Sequence, residues 1–149
     1  MKTKVLMVCL GNICRSPLAE GILKSIVNPE DVFVDSAGTG GYHIGNPPDP
    51  RSIEVAKING IDISKQICRK FNTRDFDRFD VIYAMDNENY NNIIKLGSNV
   101  TNQNKVRFLL SETDGSDKEV PDPYYDGKNG FEQVFQMIEV ACKHIAKRL

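Results

Sequence analysis

Apolar positions along the chain alternate between unbroken short runs and helical spacing. Residues 4 to 10, KVLMVCL, are nearly all apolar, as in a strand covered on both faces by helices. GNICR interrupts the run, and Ser16-Pro17 then opens a helix, with Ser16 a suitable N-cap and Pro17 at a tolerated first position. Leu18, Ile22 and Ile26 give that helix its apolar face. Val32, Phe33 and Val34 form a second short strand, and the following Ser36-Ala37-Gly38-Thr39-Gly40-Gly41 is too rich in glycine to read as anything but loop. This strand-loop-helix-strand order predicts parallel pairing. GNPPDPRS (45–52) excludes helix and central strand until Asp49-Pro50 starts a helix that Gly60 ends. Residues 79–85, FDVIYAM, make a third strand, Tyr90 to Leu96 a helix closed by Gly97, and 105–110, KVRFLL, a fourth strand. Residues 111–130 carry no period, and compact domains keep such long stretches for function or leave them disordered. Phe131, Val134, Phe135, Ile138, Cys142, Ile145 and Leu149 mark one face of a long terminal helix, on which Cys142 reads as core filler.

The expected architecture is α/β: an open, mostly parallel four-stranded sheet with helices on both faces. Sites in such sheets lie at the carboxyl ends of the strands, and Cys9 sits at one. With 149 residues and no linker, the chain is read as one domain, 1–149. A chain of that size buries about 68–70% of its unfolded surface and needs no cross-links. The N-terminal apolar run is too short for a secretory core or a membrane span, so a cytoplasmic protein with no membrane contact is expected.

The formal net charge of −1, without blocks of like charge, excludes the basic stripe of a nucleic-acid-binding protein. Lys65, Arg69, Lys70 and Arg74 form the one basic cluster, either a solvated face or a rim attracting anionic partners. The cysteines at 9, 14, 68 and 142 make no C-x-x-C, and neither His43 nor His144 has zinc spacing to a cysteine pair. No metal and no cofactor are expected, and the thiols are expected to stay reduced.

VCLGNICRSP (8–17) holds the candidate chemistry. A strand running through a Gly-containing loop into a helix N-terminus turns several backbone N–H groups into one concavity that binds anions. An inward Arg15 would add the two charge-assisted bonds of its planar fork. The same field favours a thiolate nucleophile at Cys9. Singly, a strand-end Cys is usually core filler and an Arg at a helix start is usually solvated. C-x5-R followed by Ser, between an apolar strand and a Pro-containing helix start, is far more specific.

VCLGNICRSPLAE resembles the phosphate-binding loop of the low-molecular-weight protein tyrosine phosphatases, and DSAGTGGYHIGNPPDPRS (35–52), FDVIYAMD (79–86) and PDPYYDG (121–127) resemble that family's other landmarks in order. The resemblance covers essentially the whole chain and implies the flavodoxin-like three-layer sandwich of phosphotyrosine protein phosphatase I. It further implies a metal-free reaction in which Cys9 takes the phosphoryl group as a cysteinyl-phosphate. Arg15 and the loop 9–16 (Cys9, Leu10, Gly11, Asn12, Ile13, Cys14, Arg15, Ser16) would hold the oxygens, and Asp122 would serve as general acid and then base. Ser16 matches the serine that stabilises the thiolate. Asn12 matches a loop-supporting asparagine in a left-handed turn, with Ser36 as a partner. Leu10, Ile13, Tyr42, Tyr124 and Tyr125 match the substrate slot. Cys14 matches a second cysteine that forms a reversible disulfide with the nucleophile. Gln66 stands where many members have a histidine bonded to the loop network. Implied partners are phosphotyrosine proteins or peptides, with inorganic phosphate and similar oxyanions as inhibitors of a monomeric enzyme.

Three rivals remain at this point. A protein-arginine phosphatase of this fold carries Thr in the loop where this chain has Ile13. A thioredoxin-coupled arsenate reductase needs two further cysteines close together, whereas Cys68 and Cys142 are isolated. A non-catalytic phosphotyrosine-binding module would be expected to lack Cys9, Arg15 or Asp122.

Overall fold

The computed structural model describes residues 2–113, 119–124 and 127–149. Four parallel strands, β1 (Thr3–Cys9), β2 (Val32–Gly38), β3 (Val81–Ala84) and β4 (Val106–Phe108), line up in the order β2-β1-β3-β4. The helices are α1 (Arg15–Ile26), α2 (Pro50–Ile58), α3 (Asp75–Arg78), α4 (Asn87–Leu96), α5 (Val100–Asn104) and α6 (Gly127–Arg148). The expected α/β sheet is the observed one.

Strand alternation divides the unbroken apolar run of β1 between two cores. Val5, Met7 and Cys9 face a layer that includes Leu18, Ile22, Val55, Phe135 and Ile138, from α1, α2 and α6. Leu6 and Val8 face Phe71, Phe76, Phe79 and Ile93, on the side of α3 and α4. The chain leaves β1 for one edge at β2 and returns on its other side at β3, so the crevice between the ends of β1 and β3 is the switch point where such sheets place their sites. Cys142 lies in the first core, its thiol pushed up by burial and directed at the Ala19 carbonyl.

Several boundaries differ from those expected. Helix α1 begins at Arg15, and Ser16 makes no cap bond because its hydroxyl is turned under the preceding loop. Pro17 still falls in the first turn, where helix N–H groups have no intrahelical acceptor. Strand β2 runs on through Ser36-Ala37-Gly38, pairing with Met7, Val8 and Cys9. Glycine at 38 serves close approach there: a Cβ would sit 2.8 Å from the Leu10 carbonyl oxygen. Strand β3 is shorter than 79–85, because Phe79 is spent ending α3. Helix α4 starts three residues before Tyr90, since Asp86 caps it by accepting the Asn89 N–H at 2.8 Å. Strand β4 stops at Phe108, and Leu109–Glu112 form a 3-10 turn that buries both leucines. Helix α6 starts at Gly127, inside the stretch read as aperiodic. Helix α2 follows the sequence closely: Asp49 caps it, Pro50 opens it, and Gly60 at φ 80 closes it with its N–H on the Lys57 carbonyl and that of Ile61 on Ala56.

Candidate active site

Residues 9–16 join the end of β1 to α1, and neighbouring segments hold the carbonyls of this loop. Thr39 N–H donates to the Cys9 carbonyl at 2.9 Å, Gly40 N–H to Leu10 at 2.8 Å and Asp49 N–H to Ile13 at 2.8 Å. The Cys68 thiol donates to the Asn12 carbonyl at 2.8 Å, and the Ser52 hydroxyl to Cys14 at 3.4 Å. A trans peptide plane carries its N–H opposite its C=O, so carbonyls drawn outward turn the following N–H groups of Gly11, Ile13, Cys14 and Arg15 toward the concave side. With the Asn12 N–H on the Cys9 sulfur itself, these fixed donors suit the concave side to a phosphoryl dianion.

Cys9 is 2% exposed. Its Sγ accepts the Asn12 N–H at 3.3 Å and lies 3.1 Å from Ser16 Oγ. Asn12 Nδ2 donates to that same Oγ at 2.8 Å, so the hydroxyl hydrogen is left to choose between the sulfur at 3.1 Å and the Ala37 carbonyl at 3.5 Å. Asn12 adopts φ 57, a left-handed conformation Asn tolerates, and its side-chain amide ties the loop to the segments around it. Beyond Ser16, Nδ2 reaches Ser36 Oγ at 3.0 Å, and Oδ1 accepts the Arg69 N–H at 3.0 Å. Ser36 donates in turn to buried Glu20 at 2.6 Å, and Lys24 closes the chain on the other Glu20 oxygen. Arg69 is itself fixed by Asp35 and by a two-pronged pair with buried Asp75.

Arg15 is also buried, its Nη1 donating to Asp86 Oδ2 at 2.6 Å and to the Val120 carbonyl at 2.9 Å. Burial works against its charge, but Cys9 and Asp86 outweigh it and hold the guanidinium above its usual pKa. The Asp122 carboxylate, with a side chain 47% exposed, stands 3.9 Å from Arg15 Nη2 and accepts the Tyr124 N–H at 3.1 Å. Cys9, Arg15 and Asp122 line one cleft of about 380 Å³, walled by Leu10, Ile13, Tyr42, His43 and Tyr124. Its floor is a sulfur among donors and its walls are apolar and aromatic. It can hold a phosphate deep inside with a flat ring above it.

The sequence profile described as "Low molecular weight phosphotyrosine protein phosphatase" matches residues 4–149. The chain belongs to the low molecular weight phosphotyrosine protein phosphatase family. A low molecular weight phosphotyrosine protein phosphatase of Schizosaccharomyces pombe is 44% identical over 86% of this chain and 85% of its own length. A putative low molecular weight protein-tyrosine-phosphatase of Synechocystis is 42% identical over 98% of this chain and 96% of its own. Among solved structures, a protein tyrosine phosphatase from Entamoeba histolytica with Hepes in its active site superposes with a TM-score of 0.93 at 38% identity, covering 99% of this chain and 96% of that one.

Within this phosphatase the structure brings the expected residues Cys9, Leu10, Gly11, Ile13, Cys14, Arg15, Tyr42, Asp122 and Tyr124 to one cleft, with Asn12, Ser16 and Ser36 in the network beneath it. Tyr125 lies outside the described residues. Gln66 does not join that network: its Nε2 donates to the Pro17 carbonyl at 3.1 Å. Four residues near the phosphatase loop escaped the sequence. Asp86, left outside the helix that the sequence starts at Tyr90, caps α4 and also holds Arg15, and Glu20, given no role by the sequence, is 4% exposed in α1. Arg69, counted among surface cations, gives its backbone N–H to Asn12. His43, whose ring lies against Gly11, lines the slot, and only its place beside Tyr42 pointed there.

Proposed function

We propose that this protein-tyrosine-phosphatase hydrolyses phosphotyrosine in two steps, with Cys9 as nucleophile and Asp122 as proton carrier. The observation that carries the proposal is the shared cleft, with the Cys9 sulfur and Arg15 below and the Asp122 carboxylate at the rim. The sulfur attacks phosphorus while Arg15 and the loop N–H groups hold the oxygens, and the phenolate leaves with the proton of Asp122. Asp122 then takes a proton from water as it attacks the cysteinyl-phosphate, and the Ser16 hydroxyl stabilises the departing thiolate. Every role falls to a side chain or backbone group of this chain, and no metal enters a step.

Apolar and aromatic walls favour a phenyl ring at phosphotyrosine depth, and Ile13 favours that ring over phosphoarginine. Inorganic phosphate and similar oxyanions are expected to inhibit by filling the same cradle. Among the described residues no helix is long and apolar enough to cross a membrane. The four free cysteines support a reducing compartment, and we place the enzyme in the cytoplasm as a monomer. Cys14 is the resolving thiol in this account: burial pushes it up to about 12, with Asp49 and Cys9 adding, so it waits as a thiol until peroxide oxidises Cys9. Mass spectrometry of peroxide-treated protein is expected to find a Cys9–Cys14 bond that thiol reductant reverses, and its absence removes that role.

The decisive test is steady-state hydrolysis of p-nitrophenyl phosphate in EDTA by wild type and Cys9→Ser, followed by phosphotyrosine against phosphoarginine peptides. Full activity in EDTA, a dead Cys9→Ser and preference for phosphotyrosine are expected. Phosphate binding without turnover by wild type would instead mark a binding module.

A further inference from the structure

The segment carrying Asp122 is anchored before it by Val120, bonded to Met85 and Arg15, and after it by a residue that the two-step reaction does not use. Arg51, in the first turn of α2, sends Nε and Nη2 to the two oxygens of Asp49 at 3.0 and 2.9 Å, leaving Nη1 for the Tyr124 carbonyl at 2.8 Å. Its guanidinium stands over two rings, 5.2 Å from the Tyr124 centroid and 4.6 Å from that of Phe131 on α6. Tyr124 is therefore held at both ends of its backbone, its C=O by Arg51 and its N–H by the Asp122 carboxylate. The partner in the fork, Asp49, donates its own N–H to the Ile13 carbonyl of the phosphate-binding loop. One planar cation thus joins the nucleophile's loop to the acid's segment through a single residue on each side.

We infer that Arg51 is a positioning residue for proton transfer, which fixes how far Asp122 stands from the oxygen it protonates. The inference rests on Asp122 being the general acid. Arg suits the position because three donors lie in one rigid plane, two for the carboxylate and one for the carbonyl, while the faces of that plane remain for the rings. Lysine could reach one acceptor but not form the fork. The guanidinium touches neither the cradle nor the sulfur, so its loss should leave phosphate binding intact and let the acid drift.

The experiment compares kcat/KM for phenyl phosphate, whose leaving group needs a proton, with 2,4-dinitrophenyl phosphate, whose leaving group does not. Arg51→Gln is expected to lose about tenfold on the first ester and less than about twofold on the second, the size of loss a small misplacement of an acid produces. Arg51→Lys should fall between, and inhibition by inorganic phosphate should be unchanged in both. In the double variant with Asp122→Asn, Arg51→Gln should cost nothing more on phenyl phosphate. Equal losses on the two esters, weakened phosphate inhibition, or a further loss in the double variant overturns the inference. Asp122→Asn alone separates the two ideas. If it is itself insensitive to the leaving group, general acid catalysis by Asp122 falls and Arg51 with it; if it is sensitive and Arg51→Gln is not, only the inference falls. Should Arg51→Gln not fold, Arg51→Lys carries the same comparison.

Discussion

The nucleophile's loop and the acid's segment face each other across one cleft but are built in opposite ways. Cys9, Asn12 and Arg15 are each 2% exposed and Ser16 is fully buried, whereas the Asp122 side chain is 47% exposed. The loop is gripped from β2, α2 and the 66–70 stretch, its carbonyls bonded outward. The Asp122 carboxylate holds the Tyr124 N–H and stands at a loose 3.9 Å from Arg15. The difference follows from the two tasks. Donors that stabilise a doubly charged phosphoryl group gain most when fixed and dry, because they then need no reorganisation. A carboxylate that gives a proton to one leaving group and takes one from water must meet both, so it needs access.

If that division is right, activity and stability should come apart on one side and fall together on the other. The largest effect is expected from Asp122→Ala, a loss of roughly 10²- to 10⁴-fold in kcat/KM on phenyl phosphate with an unchanged melting temperature. Coupled loss of stability there would break the contrast. Asn12→Ala is expected to lose both, with destabilisation of roughly 2–4 kcal/mol in urea melts from two buried side-chain bonds, a third that is part-buried, and a left-handed backbone. Asn12→Gly, which restores only the backbone freedom, should recover about 1 kcal/mol of that.

A smaller effect is expected at the hinge between the regions. Burial works against the charge of Asp49, but the Arg51 bonds outweigh it and hold the carboxyl below its ordinary range. A depressed folded pKa adds stability that is complete above the unfolded value of about 3.9 and fades as pH falls through the folded one. Asp49→Asn, which keeps the helix cap, should therefore cost about 0.2–1 kcal/mol at pH 6 and progressively less as pH falls below about 3.9, as followed by melts across that range. The smallest effect is expected from Gln66→His, no more than about 1 kcal/mol in stability and little in turnover, since Gln66 bonds to Pro17 rather than to the loop network.

What the sequence revealed also divides along this line. The strand, loop and helix around Cys9 were legible because their signals are local: an unbroken apolar run, a glycine, and a proline in the first helical turn. Asp86 was hidden because the apolar spacing starts the helix only at Tyr90, four residues past the carboxylate whose first oxygen caps it. Its second oxygen holds Arg15 across 71 residues, and no pattern in the chain encodes that reach. Gly38 misled for a similar reason: clustered glycines read as loop, yet here glycine lets a strand continue beneath the phosphate-binding loop. Helices α3 and α5, of 4 and 5 residues, are too short to show a period. Asp122 had no pattern of its own, and only the resemblance of PDPYY to the family singled it out.

Eight consecutive residues make the cradle, yet its side chains are held by partners 24, 57, 71 and 105 residues away. A loop closed over such separations cannot form early on a chain's way to the native state, because the entropy of closure is spent before these contacts repay it. The 9–16 sequence in an isolated peptide should therefore show no affinity for phosphate. In refolding, returning catalysis reports completion of the whole topology, and phosphate, which binds only that end state, should deepen its well without hastening the approach.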